Sequence, residues 1–106
     1  MLRSLNLLNF DDELATGYAL IGYWASWCDA CKRQNQLLEE MEKELSEEIK
    51  IFTVDVNDNR VISNKQGVKN VPTLILYHNS KPIERFQGLQ PKEIILQSIY
   101  KLIQNQ

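Results

Sequence analysis

Three segments of the chain are apolar on both alternating faces, and this pattern predicts strands that are covered on two sides. They are residues 18–25, 49–56 and 73–77. A fourth extended segment, residues 81–86, contains Pro82. Because proline has no N–H to donate to a neighbouring strand, this segment is expected at the edge of a sheet.

Two amphipathic stripes predict the longer helices, since their mostly apolar positions recur at spacings of three and four residues. The first stripe comprises Cys31, Gln34, Leu37, Leu38, Met41 and Leu45, and the second comprises Ile95, Ile99, Leu102 and Ile103. Pro91 precedes the second stripe and favours a helix start, because its fixed φ suits the first helical turn. The other side of the first helix is rich in glutamate, and we interpret it as a surface exposed to solvent.

The start of the chain carries weaker signals. Residues 5–8 predict a short opening strand. Asn9, with Asp12 three residues later, resembles a capping box, in which two side chains bond the free N–H groups at the start of a helix. We therefore expect a short helix that runs through Leu14 and stops near Gly17.

The remaining elements follow from residues that favour turns. A short helix is expected at residues 60–66, closed by Gly67 in a left-handed conformation, and Asn79 and Ser80 predict a turn. The resulting order is strand, helix, strand, helix, strand, helix, strand, strand, helix. Parallel crossovers followed by a hairpin predict an α/β fold with a mixed central β-sheet flanked by helices on both faces.

Length and composition fit one globular domain over residues 1–106. The formal charge of −2 gives no basis for binding nucleic acid, which usually requires a basic surface. Acidic residues interrupt the N-terminus before a signal peptide is complete, and no apolar run reaches the about 18 residues of a membrane span. We therefore expect a cytoplasmic protein that does not bind membranes; the alternative is an exported protein whose signal has been trimmed.

Cys28 and Cys31 lie where the strand at residues 18–25 gives way to the long helix. The N-terminus of a helix has unpaired N–H groups and the positive end of the helix dipole, so it stabilises an anion. A thiolate is therefore favoured at Cys28, and the thiolate is the nucleophile of disulfide exchange. Cys31 follows one turn later on the same face, within reach of a mixed disulfide formed at Cys28.

Two other interpretations of this pair are a metal site and buried cysteines without a chemical role. A structural zinc site takes four ligands, whereas His78 is the only histidine and the chain has 2 cysteines. We therefore predict no metal within one chain, and only a site shared between molecules or a copper chaperone stays open. His78 itself is expected at the surface, at the end of a strand.

Four separated signals give the chain a family likeness: "WASWCDACK", then "NVPTLILY", then "FQG", and a final amphipathic helix. In this order and spacing they resemble the thioredoxin family over nearly the whole chain. The resemblance implies a thioredoxin-like fold and a thiol–disulfide oxidoreductase that reduces protein disulfides without a cofactor. It also implies a monomer whose cysteines are reduced again by an electron donor of the thioredoxin-reductase type.

The resemblance assigns roles to individual residues. Cys28 matches the attacking cysteine, Cys31 the resolving cysteine, and Trp27 the tryptophan packed beside the site. Val71 matches the residue whose backbone pairs with a bound substrate. Pro72 matches the cis proline of the family, which faces the cysteines, so the bond between Val71 and Pro72 is expected to be cis.

Gly88 matches a glycine in a nearby loop that lets the substrate approach closely. Without the cysteines, simpler roles would explain these matches: Trp27 as a core residue, Pro72 as the start of a strand, and Gly88 as a turn. Because the cysteines are present, we interpret these three residues, together with Val71, as substrate-binding.

The chain also departs from the pattern of the family. Thioredoxins usually carry Gly-Pro between the cysteines, where this chain has Asp29 and Ala30. The charge of Asp29 disfavours a thiolate at Cys28, whereas Ala30 restores an N–H that favours it, so the sign of the change in reduction potential does not follow from the sequence. Gly22 and Thr53 stand where the family has a buried aspartate and its partner lysine. These losses put the usual internal proton acceptor in doubt.

Two further functions stay open on the sequence alone. An oxidant or isomerase outside the cytoplasm would use the same two cysteines in the opposite direction. A thioredoxin-fold adaptor would bind a partner without redox chemistry, but binding alone does not require Trp27, the cysteine pair and Pro72 together.

Overall fold

The computed structural model describes residues 2–45 and 47–105. Its elements are β1 (Arg3–Ser4), α1 (Phe10–Leu14), β2 (Tyr18–Trp24), α2 (Asp29–Glu44), β3 (Ile49–Asp55), α3 (Arg60–Lys65), β4 (Thr73–His78), β5 (Lys81–Gln87) and α4 (Lys92–Gln104). This order of strands and helices confirms the predicted order. Residues 1, 46 and 106 lie outside the described part of the chain.

The strands of the described residues form one five-stranded mixed sheet in the order β1-β3-β2-β4-β5. β1 and β2 both run parallel to β3, whereas β4 runs antiparallel to β2 and to β5. Asn79 and Ser80 join β4 to β5 with positive φ values of 51° and 74°, as in the tight turns that match the twist of a β-hairpin. β5, which contains Pro82, lies at the edge as predicted.

Side chains alternate across the sheet and build a core on each face. On one face Leu20 belongs to a cluster with Leu38 of α2 and Ile95 of α4. On the other face Ile21 belongs to a cluster with Ile62 of α3, to which α1 also contributes. Helices therefore cover both faces of the sheet, which confirms the predicted fold class. β2 lies between the two cores, and the segment that follows it is held from both sides.

α2 is the helix on which the cysteine segment depends. Its buried residues are Cys31, Gln34, Leu38 and Met41, which confirms the predicted stripe, and Leu37 beside them is half-buried. The opposite side of the helix is polar and exposed. Within the described residues, none of the helices is both long enough and apolar enough to cross a membrane.

The face of the sheet towards α3 also buries a chain of hydroxyl groups. The hydroxyl oxygens of Tyr23 and Tyr77 are 2.6 Å apart, and Tyr77 donates to the side-chain oxygen of Gln66 at 2.8 Å. Because Tyr77 uses its only proton for Gln66, Tyr23 is the donor to Tyr77. Burial raises the pKa of Tyr77 to about 12 and also raises the pKa of Tyr23, since a buried phenolate is poorly solvated.

The predicted strand at residues 5–8 is wrong. The first strand is β1, and Leu5 extends its pairing only by donating its N–H to the Thr53 carbonyl at 2.8 Å. The chain then turns, because the side chain of Asn6 accepts a hydrogen bond from the Leu8 N–H at 2.9 Å. Asparagine side chains that bond the backbone two residues on compete with strand pairing. Leu8 is consequently exposed.

The predicted capping box at Asn9 is also wrong, although the short helix is present. Asn9 precedes α1 but makes no capping hydrogen bond with its side chain, which instead accepts from the Asn6 N–H at 2.8 Å. A helix this short is not stable alone, and burial of Phe10 and Leu14 holds it against the sheet. The helix ends at Leu14, just before Gly17, as expected.

Candidate redox site

The site is built where β2 ends and α2 begins. Cys28 is the N-cap residue of α2, and its sulfur accepts a hydrogen bond from the Cys31 N–H at 3.1 Å. At an N-cap this role usually falls to an oxygen of Ser, Thr, Asp or Asn. The sulfur of Cys28 therefore occupies the place where a helix favours a polar or anionic group. Cys28 and Cys31 form a disulfide, with their Cα atoms 5.2 Å apart.

The two cysteines differ in their exposure to solvent. Cys28 is 8% exposed, whereas Cys31 is 0% exposed. They form a small cluster with Ala25, and Trp24 and Val56 pack against it. The side of the pair that faces solvent is therefore the Cys28 side, and the sulfur of Cys31 is shielded.

The loop before β4 lies directly beside the cysteines. The carbonyl oxygen of Val71 is 4.0 Å from the sulfur of Cys28. The peptide bond between Val71 and Pro72 is cis, which confirms the expected isomer. Thr73 fixes this loop, because its hydroxyl donates to the Asn70 carbonyl at 2.6 Å. The backbone of Val71 is thus held next to the disulfide.

Gly88 follows β5 and lies beside the same loop. Its N–H donates to the Pro72 carbonyl at 2.9 Å. Its φ of 79° disfavours any residue with a Cβ, and no atom lies within 4 Å of the position that a Cβ would take. Glycine is therefore needed for the backbone conformation, and the space next to it is open. The hydrogen bond from Gly88 to Pro72 therefore connects the segment after β5 to the loop that lies beside the cysteines.

Trp27 lies in the turn between β2 and α2 and is 71% exposed. The alternative interpretation of Trp27 as a core residue is therefore wrong. Trp24, at the end of β2, packs against the cysteine cluster, and its buried indole N–H has no hydrogen-bond partner among the described residues. Trp24 was not predicted as part of the site, although a second tryptophan four residues before Cys28 was a signal for it.

The residues between the cysteines have different surroundings. Asp29 is fully exposed, and its carboxylate is 3.8 Å from the ammonium group of Lys32. Solvent and salt weaken the field of an exposed charge, and Lys32 offsets it further. Asp29 therefore disfavours a thiolate at Cys28 only weakly. Ala30 packs against the cysteine cluster.

Gly22 and Thr53 are neighbours on β2 and β3, beneath α2. The hydroxyl of Thr53 is buried, 3.4 Å from the hydroxyl of Ser4. A Cβ on Gly22 would lie 2.6 Å from Cδ1 of Leu38 and 3.7 Å from Oδ1 of Asn35. α2 therefore packs closely over Gly22, and neither member of this pair supplies a charge behind the cysteines.

The single histidine lies far from the cysteine pair. His78 pairs with Tyr18 at the start of β2, and the two rings are stacked with centroids 4.1 Å apart. Cys28 follows the opposite end of this strand, which is about 20 Å away because six steps of about 3.3 Å separate Tyr18 from Trp24. Across residues 2–45 and 47–105, no group of three or more His, Cys, Asp and Glu side chains is arranged to hold a metal ion.

Comparison with known proteins agrees with this geometry. A family model for thioredoxin matches residues 2–101. The chain is 36% identical over 93 residues to a thioredoxin of Staphylococcus saprophyticus, covering 88% of this chain and 89% of that protein. It is 34% identical over 99 residues to a thioredoxin of Chlamydia caviae, covering 93% of this chain and 96% of that protein. A mutant thioredoxin from Halobacterium salinarum NRC-1 has a similar structure, with a TM-score of 0.86 at 24% identity over 94% of this chain and 88% of that chain.

The family match and the disulfide between Cys28 and Cys31 identify the class of the protein. The chain belongs to the thioredoxin family, and its fold is thioredoxin-like. It is a thiol–disulfide oxidoreductase that reduces protein disulfides through its Cys28–Cys31 pair. The predicted fold and class of activity are confirmed, and a non-catalytic adaptor is not favoured.

Proposed function

We propose that the chain is a single-domain, monomeric reductant of the cytoplasm that transfers two electrons from the Cys28–Cys31 dithiol to protein disulfides. The observation that carries this proposal is the difference between the two sulfurs. Cys28 caps α2 and reaches the surface, whereas Cys31 is buried one turn behind it. A pair of this kind has one thiol for attack and a second that is protected until a mixed disulfide has formed.

The first step starts from the reduced pair. Cys28 gives its proton to solvent, and its thiolate attacks one sulfur of the substrate disulfide. A bond forms between Cys28 and that sulfur while the substrate disulfide bond breaks, and the other substrate sulfur leaves as a thiolate that takes up a proton. The Cys31 N–H, which points at the Cys28 sulfur from 3.1 Å, stabilises the attacking anion together with the helix dipole.

The second step regenerates the disulfide of the enzyme. Cys31 loses its proton and attacks the sulfur of Cys28, so that the Cys28–Cys31 bond forms and the mixed disulfide breaks. The second substrate sulfur leaves as a thiolate and is protonated. Two electrons have then passed to the substrate. Because the Cα atoms are 5.2 Å apart, α2 does not have to rearrange for this attack.

The substrate site is proposed to surround Cys28. The carbonyl oxygen of Val71, 4.0 Å from the Cys28 sulfur, is an acceptor for the backbone N–H of an extended substrate segment. Pro72 holds this backbone in place beside the sulfur. Gly88 leaves open space for the substrate chain, and the exposed indole of Trp27 offers an apolar surface to it.

The oxidised pair needs a supply of electrons after each turnover. We assign this role to an electron donor of the thioredoxin-reductase type, which reduces the Cys28–Cys31 disulfide by the same exchange steps in reverse. The chain needs no cofactor for this cycle, because its two sulfurs carry both electrons. A reducing compartment such as the cytoplasm keeps the pair in the dithiol form.

The reduction potential tests the direction of electron flow. The protein is equilibrated with mixtures of reduced and oxidised glutathione, and the fraction of dithiol is measured by alkylation; a Cys28→Ser/Cys31→Ser variant gives the background. A reductant requires a potential near or below about −220 mV, whereas a value near about −120 mV is that of a strong oxidant. The higher value would contradict the proposal and support a disulfide oxidant outside the cytoplasm.

A further inference from the structure

Gln34 is a polar residue in the buried stripe of α2. It is 1% exposed and follows Cys31 by three residues, so the two side chains lie on the same side of the helix. An apolar residue is expected at such a position. A buried amide without partners is costly, because its NH₂ group and its oxygen both lose their water.

The partner of this amide is the backbone of Gln90, in the loop between β5 and α4. Gln34 Nε2 donates to the Gln90 carbonyl oxygen at 3.3 Å. In return, the Gln90 N–H donates to Gln34 Oε1 at 2.9 Å. The side-chain amide of Gln34 thus bonds both the backbone N–H and the backbone carbonyl of Gln90, as a neighbouring β-strand would. Bonds in both directions fix the orientation of this backbone as well as its position.

The loop that Gln34 binds, residues 88–90, is held on two sides. At its start the Gly88 N–H donates to the Pro72 carbonyl at 2.9 Å, and at its end Gln34 holds the backbone from α2. Leu89 lies between these two attachments and is 46% exposed. The loop therefore presents an apolar side chain from a backbone that is tied both to the Pro72 loop and to the helix of the cysteines.

We propose that Gln34 is a positioning residue that fixes residues 88–90 against α2, so that protein substrates meet a preformed docking edge beside Cys28. This inference rests on the proposed function, which assigns Gly88 to substrate contact. Cys28 caps the N-terminus of α2, so the amide of Gln34, on the same helix, sets the position of the loop relative to the attacking sulfur. A loop that is ordered before binding does not have to be ordered by the substrate, and this favours association. A small disulfide that does not reach the loop gains nothing from it.

The test changes two glutamines of α2 to methionine. Gln34→Met keeps the approximate length and volume of the side chain and removes both hydrogen bonds. Gln36→Met, at an exposed position of the same helix, is the matched control. Each reduced protein, freed of other thiols, is mixed in a stopped-flow instrument with insulin or with the small disulfide dithiobis(nitrobenzoate). Oxidation rates are measured against substrate concentration, and the reduction potential is measured against glutathione.

Gln34→Met is expected to lower the second-order rate constant for insulin by roughly three- to tenfold, equivalent to about 0.7–1.4 kcal/mol. Its rate with the small disulfide and its reduction potential stay at the wild-type values, and Gln36→Met matches the wild type in every assay. Equal losses with both substrates, or no loss with insulin, would overturn the positioning role alone. If the wild-type protein did not reduce insulin, the proposed function would fall, and this inference with it.

Hydrogen exchange tests the same contact in the wild-type protein and does not depend on the folding of a variant. The Gln90 N–H is expected to exchange with solvent more slowly than the Leu89 N–H, because it donates to Gln34. In folded Gln34→Met protein this difference disappears. Equal exchange of the two amides in the wild-type protein would mean that Gln34 does not hold the loop, and the inference would be wrong.

Discussion

Gly22 on β2 and Thr53 on β3 are direct partners in the parallel ladder, and neither side chain carries a charge. By the family resemblance, these positions hold a buried aspartate and a lysine in thioredoxins. Here the hydroxyl of Thr53 lies next to Ser4, and α2 packs over Gly22. We therefore expect Cys31 to give its proton to water or to the departing substrate thiolate during the second step.

A side chain at position 22 is expected to destabilise the fold. Because a Cβ there would lie 2.6 Å from Cδ1 of Leu38, Leu38 has to move in Gly22→Ala, and overpacking of this kind costs about 1–3 kcal/mol. Gly22→Asp is expected to cost about 1–3 kcal/mol more, because it buries an incompletely paired polar group. Denaturant melts of the three proteins measure both differences. Wild-type stability in Gly22→Ala would contradict the close packing of α2 over this strand.

The same two variants test the missing proton acceptor. A carboxylate behind the pair takes the proton of Cys31 as it attacks, so Gly22→Asp is expected to resolve the mixed disulfide faster than wild type near neutral pH. Gly22→Ala, which introduces no carboxylate, controls for the change in packing. Single-turnover measurements by stopped flow give the rates. If Gly22→Asp resolved the mixed disulfide no faster than Gly22→Ala, a carboxylate at position 22 would not accept the proton of Cys31, and position 22 would not lie behind the cysteines.

Cys28 is expected to react first when the reduced protein is partially alkylated. It lies at the start of α2 with part of its surface exposed, whereas Cys31 is fully buried, and the thiolate is favoured at the helix N-terminus. Mass spectrometry of peptides after brief treatment with iodoacetamide identifies the labelled residue. Preferential labelling of Cys31 would reverse the roles assigned to the two cysteines.

Cys31→Ser is expected to remain covalently bound to its substrates. Without the second thiol, the mixed disulfide at Cys28 has no exit within the molecule. Non-reducing electrophoresis of cell extracts would detect the adducts, which disappear on addition of dithiothreitol. Cys28→Ser is the matched control and is expected to trap far less. Equal trapping by the two variants would mean that the order of attack is wrong.

The disulfide form is expected to lose stability above about pH 10. Burial raises the pKa of Tyr77 from its ordinary value of 10.0 to about 12 and also raises the pKa of Tyr23. As the pH rises between these values, the unfolded chain loses protons that the folded chain keeps, and unfolding becomes more favourable. The contribution of Tyr77 is complete below about pH 10 and is lost as the pH rises through about 12. The contribution of Tyr23, whose pKa is raised further, is lost at higher pH still. Denaturant melts across the alkaline range measure this loss.

Tyrosine variants show whether the buried hydroxyl groups cause this dependence. Tyr23→Phe/Tyr77→Phe is expected to flatten the alkaline part of the stability profile, because both titrating groups are gone. Tyr100→Phe changes a half-exposed tyrosine of α4 and is expected to keep the wild-type profile. An unchanged slope in the double variant would rule out the two buried tyrosines as its cause.

The main elements of the fold could be predicted because their signals are local. Apolar runs gave the three inner strands, and Pro82 placed β5 at the edge of the sheet. The strand predicted at residues 5–8 was wrong, because the side chain of Asn6 forms a turn with the Leu8 N–H. Composition alone does not distinguish these two uses of a short leucine-rich segment, since the outcome depends on one side-chain hydrogen bond.

The site was predictable only in part. Cys28, Cys31 and the cis bond before Pro72 followed from motifs. The exposure of Trp27 did not, because it depends on the conformation of the turn between β2 and α2. Gln34 could not be recognised, because its partner is the backbone of Gln90, 56 residues away in the chain. A contact of this kind exists only after the sheet has brought the loop to α2, so no pattern within one segment encodes it.

The Cys28–Cys31 pair carries electrons to protein disulfides. This transfer is measured by the reduction of insulin with dithiothreitol, followed through the precipitation of the freed insulin chain. The wild-type protein is predicted to accelerate the reaction well above the rate with dithiothreitol alone, and Cys28→Ser to give only that background rate. A wild-type rate equal to the rate of Cys28→Ser would mean that the pair does not carry electrons to protein disulfides.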